Sequence, residues 1–561
     1  MKRWIIKPTI TPEADNALQV YPASIRQLFY NRGIIDEASA RVFLQPDFSK
    51  LFDPFIFTDM SRTVERIWQA IENKEKICIF GDYDADAVTA NAVLRRTFQY
   101  LGVESTSYIP DRFSEGYGLN LVAFEKLKND GVTVCITVDC GTNSIDAAEY
   151  CKANGIDLII TDHHEITGAK PNSFALINPK NSSEIYPDNQ ITGVGVAFKL
   201  ACGILSDETR VQKYASNFVK GWEKWLLDLV SIGTVADCHS LLLENRILVS
   251  YGLKVLQKTK WKGLKKLIEL SSRGLEVTYT SQLLGFGLAP RINAAGRLEH
   301  ANVALDLLLS DNDAECNALS IKLEEINNRR RDLTARIVTE AKEHAWMQEN
   351  NKVLLLTNPG WHKGVVGLVA GKLANDFGKP TIVLEQGQEF SVGSVRSVGS
   401  FDVVEMLKET RDHLHAFGGH KQAAGLTART EKLQAFHEAI LDYADRRLSL
   451  EDLQPYLEIE METSPDEVTL DTARLLELFE PFGAGNPRPL YGFPTAFLSS
   501  GRRVGKDGRH IQFKVGSLDG IAFSKPEFLE KCTDTHTPMV AEIMKDVWMG
   551  REKVKLKLVD F

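Results

Sequence analysis

Four stretches of this sequence place acids or histidines directly behind apolar runs. The runs 77–81, 134–138 and 158–161 lead into Asp82-Tyr83-Asp84-Ala85-Asp86, Asp139-Cys140-Gly141 and Asp162-His163-His164, and the run 229–236 leads into Asp237. If the first three are neighbouring parallel strands, their acids emerge at the carboxyl edge of the sheet, where open α/β sheets bind ligands. Asp82, Asp84, Asp86, Asp139 and Asp237 gathered there would repel one another unless cations lay between them. Oxygen and imidazole donors favour Mn²⁺ or Mg²⁺ over a thiolate-type zinc site. The chemistry expected is hydrolysis at a carboxylate-rich, two-metal centre. The acidic triplet also fits a calcium loop loosely, but an EF-hand needs glycine sixth and glutamate twelfth, where Ala87 and Val93 stand. A solvated acidic turn, or a capping aspartate beside two surface histidines, is the plainer reading of each piece taken alone. The strand before each and the helix after the triplet argue for a site. Adjacent histidines in a turn can point apart, so that one ligates while the other donates a proton.

Elements must position those groups. A chain of 561 residues holds more than one domain. With 43% hydrophobic and 25% charged residues it has an ordinary globular composition. A net charge of −9 means that any nucleic-acid contact rests on a local basic surface. The eight cysteines form no Cys-x-x-Cys pair and read as reduced thiols of a cytoplasmic protein. The first residues lack the apolar core of a secretory signal, and no run is long enough to span a membrane.

The expected class is α/β. A helical lead-in covers 1–60. A parallel-sheet domain follows over 61–310, with strands at 77–81, 105–109, 134–138, 157–161 and 174–178 and helices between them. Residues 222–270 look helical, and the glycine-rich stretch 285–297 reads as a shaped loop. Residues 311–349 form a long connecting helix with Leu319, Leu323, Ile326, Leu333 and Ile337 on one face, interrupted by Arg330. A coiled-coil dimer is the weaker reading of that broken stripe. A second α/β domain spans 350–452, and 453–561 alternates as an OB-fold-like β-barrel does. Within the barrel, 501–516 carries five Lys/Arg and one Asp, a local +4. With Phe513 and His510 interleaved it suits a groove that tracks a single strand, and otherwise a solvated hairpin.

The ordered set Asp82-Tyr83-Asp84-Ala85-Asp86, Val138-Asp139-Cys140-Gly141, Asp162-His163-His164 and Gly233-Thr234-Val235-Ala236-Asp237 resembles the DHH phosphoesterase superfamily. Further stretches at 112–118, 290–297, 361–367, 393–397, 417–420 and 481–487 are similar to its bacterial single-strand-specific exonuclease branch. The resemblance covers about residues 70–561. It implies that Asp82, Asp84 and Asp139 hold one ion, and that Asp86, Asp139, His163 and Asp237 hold a second, bridged by Asp139. His164 would face the substrate phosphate or protonate the leaving oxygen, with Asp162 orienting a histidine. Water activated there would attack phosphorus in line.

The resemblance makes 350–452 the DHH-associated domain, with Ser394, Arg396 and Arg112 gripping a terminal 5′-phosphate and Gly418-Gly419-His420 bringing backbone N–H groups to an anion. A surface salt bridge or a plain turn is the alternative for each. Arg291, Arg297, His362, Arg502, Lys506 and Arg509 complete the expected substrate contacts. The implied activity is 5′-to-3′ hydrolysis of single-stranded DNA in recombination and repair, with a passage between the two α/β domains too narrow for duplex. A single-strand-binding protein and a RecQ-type helicase are the implied partners of a cytoplasmic monomer. A small phosphate ester as substrate, or a non-enzymatic replication scaffold, remain the other two readings. One departure is Ala87 where the superfamily usually has glycine, which would be strained if that position needed positive φ.

Overall fold

A computed structural model describes residues 2–116, 118–272, 274–449, 451–505, 507–548 and 550–561. Two compact units emerge. The smaller gathers Glu325–Leu457 with the N-terminal residues through Ile5, and the larger comprises Ile6–Glu324 and Glu458–Phe561.

In the larger unit, five parallel strands run in the order Thr106–Tyr108, Lys76–Gly81, Val132–Val138, Asp157–Thr161 and Ala175–Ile177. Their side chains alternate between two cores. Ile77 and Ile79 face the helices Met60–Glu72, Ala85–Tyr100 and Gly193–Leu205, whereas Cys78 and Phe80 face Leu121–Asn129 and Ile145–Ala153. A parallel sheet covered on both faces needs such nearly unbroken apolar strands.

The glycine-rich stretch 285–297 is not a loop. It forms a π-helical turn, Leu283–Leu288, that runs into the helix Ala289–Leu298 with Pro290 at its start. Proline is compatible with the first helical turn, and glycine here allows close approach rather than a bend. A Cβ on Gly296 would lie 2.5 Å from the Tyr83 carbonyl oxygen.

The N-terminal helices Ala23–Tyr30 and Glu37–Leu44 are packed rather than appended. Phe29 and Phe43 meet Phe479 at ring separations of 5.0 and 5.2 Å, within the core that also fills the C-terminal barrel. The buried Arg246 ties these parts together by donating to the carbonyls of Phe43, Leu478, Phe479 and Glu480 at 2.8–3.0 Å. The barrel closes because Tyr491–Val504 pairs with both His510–Val515 and Thr535–Trp548, with Leu518–Ala522 and Arg551–Asp560 completing the ring. It is the expected OB-fold.

The smaller unit is the second α/β domain. Its sheet runs Leu414–His420, Ala423–Arg429, Phe390–Arg396, Thr381–Glu385, Leu354–Asn358, with only the last pair parallel. The helix Asp313–Trp346 belongs to the larger unit through Glu324 and to the smaller from Glu325 onward. Among the described residues, no helix is long and apolar enough to cross a membrane.

Candidate metal centre

Gly81, Val138 and Thr161 share one row across the parallel sheet, so Asp82, Asp139 and Asp162 leave it side by side, one residue later. The Asp139 N–H donates to the Thr161 carbonyl at 3.0 Å, and the Asp162 N–H to that of Ile177 at 3.1 Å, extending the ladder past the strands. Asp139 then turns sharply at φ 59°. That left-handed conformation is tolerated best by Asp and Asn among residues with a Cβ, and strain of this kind is concentrated at functional sites.

Asp84 caps the helix Ala85–Tyr100, accepting from the Ala87 N–H at 3.0 Å. Ala87 therefore sits in ordinary helical backbone, and replacing the usual glycine brings no strain. Asn293 fastens the same turn by accepting from the Ala85 N–H at 2.8 Å. Asp86 lies one step inside the helix, fully buried. It is held by the N–H groups of Gly193 and Val194 (2.8 and 3.0 Å) at the start of the helix Gly193–Leu205, where the positive dipole end suits a carboxylate. Glycine is required there, because a Cβ on Gly193 would come within 2.6 Å of Asp139. Asp237 follows the last residue of the helix Leu227–Ala236, and Gly233 of that helix passes so close to Asp86 that a Cβ would lie 2.7 Å from Oδ1.

His163 is the hub. Its Nε2 stands 3.0 Å from Asp139 Oδ1, 3.5 Å from Asp237 Oδ2 and 3.8 Å from Asp86 Oδ2. His164, beside it, turns its Nδ1 to Asp162 Oδ1 at 2.7 Å. Asp162 also accepts from the N–H groups of Thr142, His163 and His164.

The environment drives these groups apart electrostatically. Burial, reinforced by the charge of His164, pushes the His163 pKa well down and keeps its imidazole neutral. Burial would also lower His164, but the hydrogen bond and charge of Asp162, with Asp237 and Asp84, carry it up to about 9. Burial raises Asp162 as well, yet the hydrogen bond and charge of His164 outweigh it and hold the carboxyl well below the ordinary range. Burial followed by repulsion from neighbouring acids lifts Asp82 to about 8 and Asp237 to about 7, and takes Asp86 and Asp139 far upward. The charge of Asp84 contributes to all four of these upward shifts, so the five acids converge.

Buried polar groups ordinarily find partners. Here Asp82 Oδ1, Asp139 Oδ1, Asp237 Oδ2 and both ring nitrogens of His163 have no hydrogen-bond partner in the protein. A set of carboxylate oxygens and a neutral imidazole, unsatisfied and mutually repelling, fits hard or borderline divalent cations. Asp139 with His163 and His164, and His163 with Asp237 and His239, each bring ligand atoms within 4.8 Å of one another. His239 was not anticipated, although it stands two residues beyond Asp237. Nor were Gly193 and Val194, whose only local signal is Thr192-Gly193 opening an apolar run.

The expected substrate residues fall into three groups. Near the acids, the Arg112 guanidinium lies 4.7 Å from the Tyr83 ring centre and lowers Asp82. The charge of Arg297 reaches Tyr83 as well. Arg291 requires correction. It is buried, with Nε and Nη2 on Glu324 (2.5 and 3.2 Å) and Nη1 on the Gly287 carbonyl at 2.6 Å. A guanidinium satisfied in this way anchors the π-helical turn rather than offering itself to a substrate.

In the smaller unit, Gly418, Gly425 and Ser394 form one row across the antiparallel sheet, and His420, Ala423 and Arg396 another. Side chains directly opposite one another, and two residues apart on a strand, share a face, so Ser394, Arg396 and His420 lie together. Gly367, in the first turn of the helix Val366–Phe377, approaches them so closely that a Cβ would lie 3.0 Å from Arg396 Nη2 and 3.2 Å from Ser394 Oγ. His362 precedes that helix and accepts from the Gly364 N–H at 3.0 Å through Nδ1. Gly418-Gly419-His420 ends an edge strand instead of forming a turn. Gly419 has φ 149°, and a Cβ there would meet the Ala424 Cα at 2.5 Å.

On the barrel, Arg502 bonds the neutral amide of Gln512, and Arg509 pairs with Asp507. Lys506 lies outside the described residues. Phe513 does not line a groove. It is 1% exposed and packs edge-on against Phe528 in the barrel core, because alternation on its strand turns it inward. The exposed aromatic beside His510 is Phe523, 50% accessible, at 5.3 Å.

Comparison with known proteins agrees with this architecture. Residues 76–234 match "DHH family, N-terminal domain", 350–445 the "DHHA1 domain" and 459–560 the "RecJ OB domain". The chain is 36% identical over 547 residues to the single-stranded-DNA-specific exonuclease RecJ of Bacillus subtilis, spanning 96% of this chain and 67% of that protein. It is 31% identical over 530 residues to the Escherichia coli protein of the same name, spanning 90% and 89%. The crystal structure of RecJ in complex with Mn²⁺ from Thermus thermophilus superposes with a TM-score of 0.83 at 27% identity, covering all of this chain and 79% of that one. Its Mg²⁺ complex gives 0.77 at 26% identity, covering all of this chain and 78% of that one. With this degree of identity over nearly the whole chain, and with all three domain models matched along it, the chain belongs to the RecJ family of single-stranded-DNA-specific exonucleases.

Proposed function

We propose that this chain is a metal-dependent exonuclease that hydrolyses single-stranded DNA from its 5′ end, acting in recombination and repair in the bacterial cytoplasm. The observation that carries the reading is the cage of acids around His163, with unpartnered oxygens on Asp82, Asp139 and Asp237 and two unpartnered imidazole nitrogens. Asp82, Asp84 and Asp139 would hold one Mn²⁺ or Mg²⁺ ion. Asp86, Asp139, His163 and Asp237 would hold the other. Divalent ions bound there supply activation of water at neutral pH and offset charge on the phosphoryl oxygens.

The protein's own groups do the rest. His163, kept neutral by burial, presents a lone pair. His164, kept protonated by Asp162, presents a positive N–H to a phosphate oxygen and can pass its proton to the leaving oxygen. Two adjacent groups pushed to opposite protonation states are a recurrent solution to acid and base work at one pH. Arg112 and Arg297 border this centre and would contact the nucleotide being removed.

On the smaller unit's sheet, Ser394 and Arg396 beside a helix N-terminus suit a terminal 5′-phosphate, with His362, Gly418, Gly419 and His420 around them. That grip is the basis for the 5′-to-3′ direction. Arg502, Lys506 and Arg509 on the barrel would track the strand. The functional division follows as 61–310 for catalysis, 350–452 for end recognition and 453–561 for strand binding, in a monomer working with a single-strand-binding protein and a RecQ-type helicase.

The test is digestion of an oligonucleotide labelled at one end or the other, with Mn²⁺ or Mg²⁺ and a duplex control. Mononucleotide should appear first from the 5′ label, only on the single strand. Asp139→Asn preserves the shape at a left-handed position and should abolish turnover. Full activity of that variant, or of EDTA-treated protein, would refute the mechanism, and release from the 3′ label would refute the direction.

A further inference from the structure

His239 has no role in the reaction proposed above, yet it faces the centre beside Asp237 and His163. Its Nε2 lies 3.3 Å from Asp237 Oδ2, and its ring centre is 4.8 Å from that of His163. The other ring nitrogen, Nδ1, lies 3.1 Å from the Gln190 carbonyl oxygen. A carbonyl can only accept, so Nδ1 must carry the proton. In the neutral ring, Nε2 then carries the lone pair. That lone pair is aimed at a carboxylate oxygen with no partner of its own. Two acceptors facing each other at this distance repel unless something positive lies between them.

The arrangement has the features of a metal-bound histidine. One nitrogen is fixed by a backbone carbonyl, which sets the tautomer and the ring plane, and the other is directed at the ion's position. An independent group points to the same place. His163, 3% exposed, aims an unpartnered Nε2 at the same Asp237 oxygen from 3.5 Å. Nε2 of His239, Nε2 of His163 and Oδ2 of Asp237 thus surround one small volume. The Gln190 carbonyl is itself fixed, since the Asn245 side chain donates to it at 2.6 Å. A solvated loop histidine would need none of this support.

We propose that His239 is a ligand of the second cation through Nε2, giving that site two imidazoles, and that the site consequently favours borderline ions such as Mn²⁺, Co²⁺ and Zn²⁺ over Mg²⁺. The inference rests on the metal-centre reading and deepens it. Imidazole binds ions toward the later end of the first transition row better than it binds Mg²⁺, which prefers oxygen and water. The two cation sites are therefore chemically unequal: carboxylates alone at one, and two nitrogens among the donors at the other.

The experiment uses the full-length protein, wild type and His239→Ala, with His239→Gln as a second variant of similar reach. Isothermal titration with Mn²⁺ and with Mg²⁺ measures stoichiometry and affinity. Proton NMR of the Co²⁺-loaded protein counts the strongly shifted, solvent-exchangeable imidazole N–H signals. The wild type should bind two ions, and each variant should show one such signal fewer. The weaker Mn²⁺ constant should worsen in the variants by at least ~10–100-fold, the range already seen for lost supporting contacts, while Mg²⁺ changes less. Circular dichroism in EDTA should be unchanged. Two ions bound with the same signal count and the same constants in all three proteins would overturn the assignment of His239 alone. Failure of the wild type to bind two ions would overturn the metal-centre reading beneath it.

Discussion

The metal-free centre should make this protein less stable as the pH rises, and Asp82 is the residue that exposes the effect. Its side chain is 3% exposed, one oxygen has no partner, and burial with repulsion from Asp84 moves its pKa from the ordinary 3.8 up to about 8. A raised acid has a definite sign in linkage. Below pH 3.8 both folded and unfolded chains hold the proton, and no penalty arises. Between 3.8 and about 8 only the folded state holds it, so stability falls by ~1.4 kcal/mol for each pH unit. Above about 8 the full cost is present, as much as ~6 kcal/mol on that slope. Asp82→Asn keeps the shape and removes the charge. In EDTA its unfolding midpoint should match the wild type near pH 4 and rise above it progressively to pH 8.5. Saturating Mn²⁺ should reverse the order, because only the wild type retains the full ligand set and gains stability by binding. The assay is thermal or urea unfolding across pH, with and without metal. Coincident midpoints at pH 8.5 in EDTA, or a variant less stable than wild type there, would refute the argument that these acids are held together against their own repulsion.

Four other expectations follow from packing and exposure. Gly193→Ala places a methyl within 2.6 Å of Asp139 and should weaken Mn²⁺ binding by ~10-fold or more while circular dichroism is retained; unchanged titration curves would contradict it. Arg246→Met leaves the carbonyls of Phe43, Leu478, Phe479 and Glu480 without their donor and should cost at least ~3 kcal/mol, read as a lower urea midpoint and faster proteolysis of the N-terminal helices. Phe523→Ala should weaken binding of a long single strand by ~1–3 kcal/mol at unchanged melting temperature. Phe513→Ala should do the reverse, costing ~3–5 kcal/mol of stability, and equal effects of the two on DNA affinity would show that neither stacks on bases.

The order of the domains was readable because each carries a strong local period. The parallel strands are short apolar runs, the connecting helix lacks breakers, and the barrel strands alternate. The glycine-rich stretch 285–297 misled because glycine serves two ends. It can free a turn or admit a close neighbour, and only the approach of Tyr83 to Gly296 reveals which. Phe513 misled for a related reason: alternation says that two faces exist, whereas closure of the barrel decides which one is inside.

By itself, the sequence determined which residues could meet at the sheet edge. An acid one residue past a buried parallel strand must emerge there, whatever the rest of the chain does, and Asp82, Asp139 and Asp162 follow from that local rule. Only the tertiary structure decided how they are held and charged. The Gly193 and Val194 amides on Asp86, the Gln190 carbonyl behind His239 and the opposite fates of His163 and His164 come from segments far apart in sequence. Burial and hydrogen bonding at such contacts are properties of the assembled fold, and no local pattern of residues encodes them.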